Sequence, residues 1–251
     1  MKAPAFAYAK PASLKEALEL LARPGAKALA GGQSLIPTLN MRLSSPELLV
    51  DIGGLKDLKG ISLQKDVLRI GALTTHAELE GSAEVKKHVP LLAAAVPHVA
   101  HAAIRNRGTI GGSLALADPV AEYPAVVLAL EATIVTSERR IEAAKFFKDL
   151  FETALKPGEL LTAVEFPAAK ASDKSVFLEL TRRHGDYAIV GLAKHNERCV
   201  FFGVGSVPVL FKGKSKEELG RSLKPAADLY NTAATKLHLA GVLLERACKA
   251  A

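Results

Sequence analysis

The sequence predicts an α+β protein of three consecutive units, two N-terminal α/β units followed by a small sheet packed by helices. Three observations carry this. A capped helix and a glycine-interrupted βαβ pattern open the chain, and a second group of short strands leads into alanine-rich helical stretches. Beyond Phe166-Pro167 the texture changes to closely spaced short strands and a periodic tail. The units are placed at residues 1–54, 55–167 and 174–251.

In the first unit, Ser13 and Glu16 form a capping-box pair, and Leu14, Ala17, Leu18 and Leu21 recur on one helical face before Pro24-Gly25 stops the run. A strand over Ala26–Ala30, the pair Gly31-Gly32, a helix from about Ser34 to Leu43 and a strand over Leu48–Ile52 complete a βαβ-like unit. The second unit opens with strands over Gly60–Leu63 and Val67–Leu73. Helical stretches follow between Thr75 and Ile104 and from Pro119 to Leu130. The small, polar run AAKASDK after Pro167 suits a linker. Strands over Val176–Leu180, Ala188–Lys194 and Cys199–Val204 then precede a helical tail from Ala226 to Cys248, with Leu239, Val242, Leu243 and Arg246 in periodic register.

With 251 residues, 49% hydrophobic and 24% charged, the chain can bury a substantial core, which excludes disordered and collagen-like classes. The longest apolar stretches, Val89–Ile104 and Pro124–Thr136, are broken by Pro97, His98 and His101 and by Glu131, so neither makes a membrane span. The segment between Lys2 and Lys10 contains Pro4 and is too short for a secretory core, which leads one to expect a cytoplasmic protein. Cys199 and Cys248 stand far apart with no CxxC, so any iron–sulfur cluster must belong to a partner. A net charge of +7 favours an anionic cofactor, an acidic partner surface or nucleic acid. Scattered basic residues, 5% aromatics and no tryptophan argue against nucleic acid.

Several motifs fail on inspection. Gly213-Lys214-Ser215 lacks the earlier glycine of a phosphate loop, where Pro208 stands. Gly203-Val-Gly205 ends in Pro208 instead of the third glycine of a dinucleotide fingerprint and reads as a strand-to-turn feature. Neither Ser34 nor Ser113 completes a nucleophile elbow, because Ile36 and Ala115 replace the second glycine. His98 and His101 lack a third ligand nearby, so no metal site is assigned. No acid–base or nucleophilic constellation emerges, and no catalytic residue is assigned.

Two loops remain, Ala30-Gly31-Gly32-Gln33-Ser34-Leu35 and Gly108-Thr109-Ile110-Gly111-Gly112-Ser113. Adjacent glycines let several backbone N–H groups converge and remove the Cβ that would block an approaching diphosphate. Ser34, Thr109 and Ser113 add hydroxyl donors. Either loop alone is commonly just a turn.

The blocks AGGQSLIPTLNMRL at 30–43, PELLVDI at 46–52, RIGALTTHAELE at 69–80, IRNRGTIGGSLALADPVAEYPA at 104–125 and RRHGDYAIVG at 182–191 occur in one order over essentially the whole chain. In this the chain resembles the FAD-carrying medium subunits of the molybdenum hydroxylases, the carbon monoxide dehydrogenase and xanthine dehydrogenase type. The resemblance implies a two-subdomain FAD-binding fold of the vanillyl-alcohol-oxidase (PCMH) type, closed by a C-terminal domain. It implies FAD held by residues 30–35 and 109–113, with Asp118 and Glu122 accepting from ribityl or ribose hydroxyls and Tyr187 beside the flavin ring. Asp118 has a second reading, as a cap of the Pro119 helix. Arg182-Arg183-His184 either steadies an anionic flavin or pairs with a partner.

The same resemblance implies a large molybdenum–pterin subunit, a small subunit with two [2Fe–2S] clusters, a dimer of heterotrimers and an external electron acceptor. The alternatives are a stand-alone FAD oxidase and a scaffold without flavin. Departures from the family pattern are Ser113 where many relatives have Asn, Glu179 where some have Lys, and a shorter stretch after about Gly205, which leads one to expect a reduced closing sheet.

Overall fold

The structure is a computed structural model that describes residues 2–213 and 215–250. Lys214, of the discounted Gly213-Lys214-Ser215 triplet, lies outside them.

A three-stranded parallel sheet opens the chain, formed by β1 (Ala7–Ala9), β2 (Ala26–Leu29) and β3 (Leu48–Asp51) in the order β1-β3-β2. Helix α1 (Leu14–Leu21) connects β1 to β2. Ser13 accepts the Glu16 amide at 3.2 Å, while the Glu16 carboxylate takes the Ala12 amide at 2.8 Å, one residue before the Ser13 amide that a reciprocal box would use. Helix α2 (Leu35–Asn40) connects β2 to β3 and stops short of the expected Leu43. Strand β1 was not anticipated, since three residues carry too little alternation to register.

Strands β4 (Ile61–Gln64) and β5 (Val67–Gly71) begin a five-stranded antiparallel sheet. Short helices follow: α3 (His76–Gly81), α4 (Ala83–His88), α5 (Pro90–Ala95), α6 (Ala102–Arg105) and α7 (Ile110–Leu116). Helix α8 (Glu122–Ala129) is buried on every side, as an all-round apolar helix must be. Next come β6 (Thr133–Thr136), β7 (Arg140–Glu142), α9 (Ala143–Phe146), a hairpin of β8 (Phe147–Asp149) and β9 (Glu152–Thr153), and β10 (Leu161–Pro167). The sheet runs β4-β5-β10-β6-β7, so β10 is its centre.

Four antiparallel strands make the third sheet in chain order: β11 (Ser175–Leu180), β12 (Val190–His195), β13 (Arg198–Phe202) and β14 (Val209–Phe211). Three were expected, and β14 adds a fourth. Helix α10 (Lys216–Ser222) precedes α11 (Ala233–Lys249), and α11 begins seven residues later than predicted because an Asp228 turn occupies 228–231 and Thr232 caps the helix. The connector after β10 is hydrogen-bonded onto the second unit, through Ala168 to Asp66 and Ala169 to His88. One hydrophobic core joins α5, α7, α8 and the central sheet to Phe177, Ala193, Val200 and Phe202 of the third sheet. Leu73 and Leu160 pack into the core of the first unit.

Candidate cofactor site

The two glycine loops meet. A Cβ placed on Gly31 would lie 2.0 Å from the Arg107 carbonyl oxygen and 2.9 Å from Gly108 Cα, so only glycine permits the approach. A Cβ on Gly112 would stand 3.9 Å from that of Ala30. Gly32 turns the chain at φ +74, the left-handed region where a side chain is strained.

The loops differ in what their amides do. In the second, the Ile110 amide donates to Thr74 and that of Gly111 to Ala72, while the Gly112 and Ser113 amides bond to the Thr109 side chain and carbonyl. Thr109 thus caps α7, and the hydroxyls of Thr109 and Ser113 remain as donors. Ile110 is fully buried in the core. In the first loop, the amides of Gly31, Gly32, Gln33, Ser34 and Leu35 have no acceptor among the described residues, and the Gln33 side-chain amide donates back to the Gly31 carbonyl at 3.2 Å. The Ser34 side chain makes no cap bond. Consecutive unpaired amides on a partly exposed loop form a cradle for an anion. Exposed Arg107 stands at the seam and has no ion pair among the described residues.

The seam is locked by His76, which sequence reasoning passed over although it lies in the quoted TTHAELE block. Its ring is buried, Nδ1 stands 3.0 Å from the Tyr123 hydroxyl, and its amide donates to Gly108. Nε2 would be 2.7 Å from any Cβ on Gly108. Burial first, and then Arg105, lower its pKa to about 4, so the imidazole is neutral.

Beyond α7 lie the predicted carboxylates. Asp118 accepts the Val120 amide at 3.1 Å, whereas α8 starts at Glu122 with Ala121 at its cap position, so the helix-capping reading of Asp118 does not hold. Burial raises the Asp118 pKa, with the Val120 bond opposing. Glu122 is 7% exposed, and burial, with a smaller push from Asp118, takes its pKa up to about 7. Tyr187 is 72% exposed, but its phenol feels partial desolvation and then the charges of Asp118 and Glu122, which raise its pKa. Gly185, whose Cβ would meet the Ala100 carbonyl at 2.7 Å, seats the Tyr187 loop on the second unit. The Gly203 amide, bonded to the Pro119 carbonyl, ties the third sheet there as well.

Arg182 lies over the Tyr230 ring at 4.3 Å, and His184 faces His98 with ring centres 6.1 Å apart. His101 is exposed at the start of α6. Two cavities lie elsewhere: one of about 290 Å³ is lined by Arg139, Arg140, Lys145 and Lys148, and one of about 170 Å³ by residues around Gly60 and Thr162. Neither is lined by residues of the loop cradle. The cradle's unpaired amides suit a diphosphate, and the buried carboxyls suit a polyhydroxylated chain, which are the two polar parts of FAD.

Comparison with known proteins agrees. The family described as "FAD binding domain in molybdopterin dehydrogenase" matches residues 4–169. The 6-hydroxypseudooxynicotine dehydrogenase complex subunit alpha of Paenarthrobacter nicotinovorans is 46% identical over 77% of this chain and 67% of its own length. The carbon monoxide dehydrogenase medium chain of Hydrogenophaga pseudoflava is 32% identical over 99% of this chain and 97% of its own. A solved carbon monoxide dehydrogenase from the same organism superposes with a TM-score of 0.92 at 33% identity, covering 100% of this chain and 98% of that one. The quinoline 2-oxidoreductase of Pseudomonas putida 86 gives 0.91 at 36% identity, covering 100% and 98%. With its mixed α and β architecture of the PCMH type, the chain belongs to the family of FAD-binding medium subunits of the molybdenum hydroxylases.

Proposed function

We propose that this chain is the electron-output subunit of a cytoplasmic three-component complex. A large subunit would oxidise substrate at a molybdenum–pterin centre, a small subunit would relay electrons through [2Fe–2S] clusters, and this chain would pass them to an external acceptor. Two such trimers would make the assembly, and this chain would divide into its three units near residues 54 and 168–173. The observation that carries the reading is the row of unpaired amides at Gly31–Leu35, pressed against the second glycine loop.

In this reading the small residues Ala30 and Gly112 face each other across the seam and keep bulky side chains away from the diphosphate. Gly31, Gly32, Gln33, Ser34 and Leu35 bind the diphosphate through their amides, joined by the hydroxyls of Thr109 and Ser113. Ile110 and Gly111 hold the second loop to the sheet. Asp118 and Glu122 accept from sugar hydroxyls, and Tyr187 shields one face of the ring. FAD, when bound, supplies the one- and two-electron chemistry, while the protein supplies orientation and electrostatics.

The test is a visible spectrum of the chain purified with its partners, followed by acid release and identification of the flavin. Near-equimolar releasable FAD is expected. A colourless complex that also refuses added FAD would leave a scaffold and end the proposal.

A further inference from the structure

One acid at the site has no task in the reading above. Glu179 lies on β11, whose alternation sends Val176, Leu178 and Leu180 toward α11, and Phe177 and Glu179 toward α5, α8 and the 96–98 turn. Its side chain is 1% exposed, and neither carboxyl oxygen has a hydrogen-bond partner among the described residues. An ionised carboxylate is costly in such a place, so the acid is held neutral. Burial first, and then the charge of Glu122, push its pKa up to about 8.

The groups around it form a sequence from solvent inward. Opposite Glu179 on β12 is Gly191, and α5 presents only Pro, Leu and Ala side chains, so the titratable groups facing it are His98 and Glu122. His98 Nδ1 is 3.8 Å from Glu179 Oε2, a gap that one side-chain rotation or a water closes. The His98 side chain is 35% exposed, and its ring neighbours that of exposed His184. Burial and then His184 lower the His98 pKa, which suits a group that releases protons readily. On the inner side stands Glu122, which in turn feels Asp118 and lies near Tyr187.

We propose that Glu179 is the proton carrier of the cofactor site, receiving protons from solvent through His98 and passing them inward past Glu122 to the bound ring. The inference rests on the FAD reading. Electrons come from the partner's iron–sulfur centre, and reduction by two electrons takes up one or two protons. For each, Glu179 breaks its O–H bond, becomes a carboxylate, and regains a proton from His98, which water recharges. Glu179 is therefore returned unchanged after each transfer.

The test uses the full complex, with its FAD content measured first. Reduced methyl viologen, whose oxidation releases no proton, then supplies the electrons in a stopped-flow instrument, and a pH-indicator dye follows proton uptake. Glu179→Gln keeps the shape but cannot release a proton. Its expected behaviour is parental FAD content and proton uptake slowed by about tenfold or more. His98→Gln, at a partly exposed position, slows uptake in the same way. Parental uptake rates in Glu179→Gln carrying full FAD would overturn the proposal. Loss of FAD from Glu179→Gln with parental uptake in His98→Gln would also overturn it, in favour of a binding role. A parent complex that neither contains nor takes up FAD fails at the first measurement, which separates failure of the cofactor reading from failure of the relay.

Discussion

Replacing Gly31 with alanine tests the meeting of the loops directly. The new methyl would sit 2.0 Å from the Arg107 carbonyl oxygen and 2.7 Å from its carbonyl carbon. Carbon contacts are comfortable near 3.5–4 Å, so the loops must part by roughly 1 Å or more. The obstacle is backbone and has no rotamer to adopt. Overpacking of this kind costs about 1–3 kcal/mol, and a backbone clash belongs at the upper end. At about 2–4 °C per kcal/mol for a chain of this size, Tm falls by about 6–12 °C. Displacing the cradle by that distance removes one or two charge-assisted hydrogen bonds to the diphosphate, each worth about 1.5–3 kcal/mol, so FAD affinity drops at least about tenfold. Thermal unfolding of the FAD-free chain and a flavin-fluorescence titration read the two effects separately. Gly81→Ala is the control, because nothing lies within 4 Å of its Cβ position and a helical glycine-to-alanine change is neutral or mildly stabilising. If Gly31→Ala melts with the parent and binds FAD equally well, the close approach of the loops is not what builds the site.

Thr109→Ala removes the acceptor of the Gly112 amide and should cost about 1 kcal/mol of stability, lowering Tm by about 2–4 °C, with weaker FAD binding in the same titration. His76 sets an acid limit. Its folded pKa, about 4, lies below the unfolded 6.5, so the unfolded chain binds the extra proton between these values. Its contribution is complete above pH 6.5 and is lost as pH falls to 4, to the extent of roughly 3 kcal/mol. Denaturant unfolding across that range should show the slope, and His76→Gln should flatten it.

Local signals made much of the first unit legible. The Ser13 cap, the Pro24-Gly25 stop and the glycine pair act within a few residues, so α1, β2, α2 and β3 could be placed from sequence to within a few residues. The centre of the second sheet was hidden. β10 pairs with β5 across some ninety residues of chain, and no short-range pattern records a partner so remote. In the run Pro124–Thr136 the helix ending near Leu130 was legible, but β6 beyond Glu131, where φ is +52, was not, because four residues are too few to show an alternation.

The same division holds at the site. By itself the sequence determined the family, the cofactor class and the two glycine loops, because a cradle of backbone amides needs small residues at fixed spacing. Only the tertiary structure decided which amides are free. Thr74 and Ala72, contributed from beyond β5, occupy those of Ile110 and Gly111, while the amides of Gly31–Leu35 find no acceptor. It also decided that Glu179 is shut away from water beside His98 and Glu122, since exposure and electrostatic coupling depend on elements brought together from three parts of the chain.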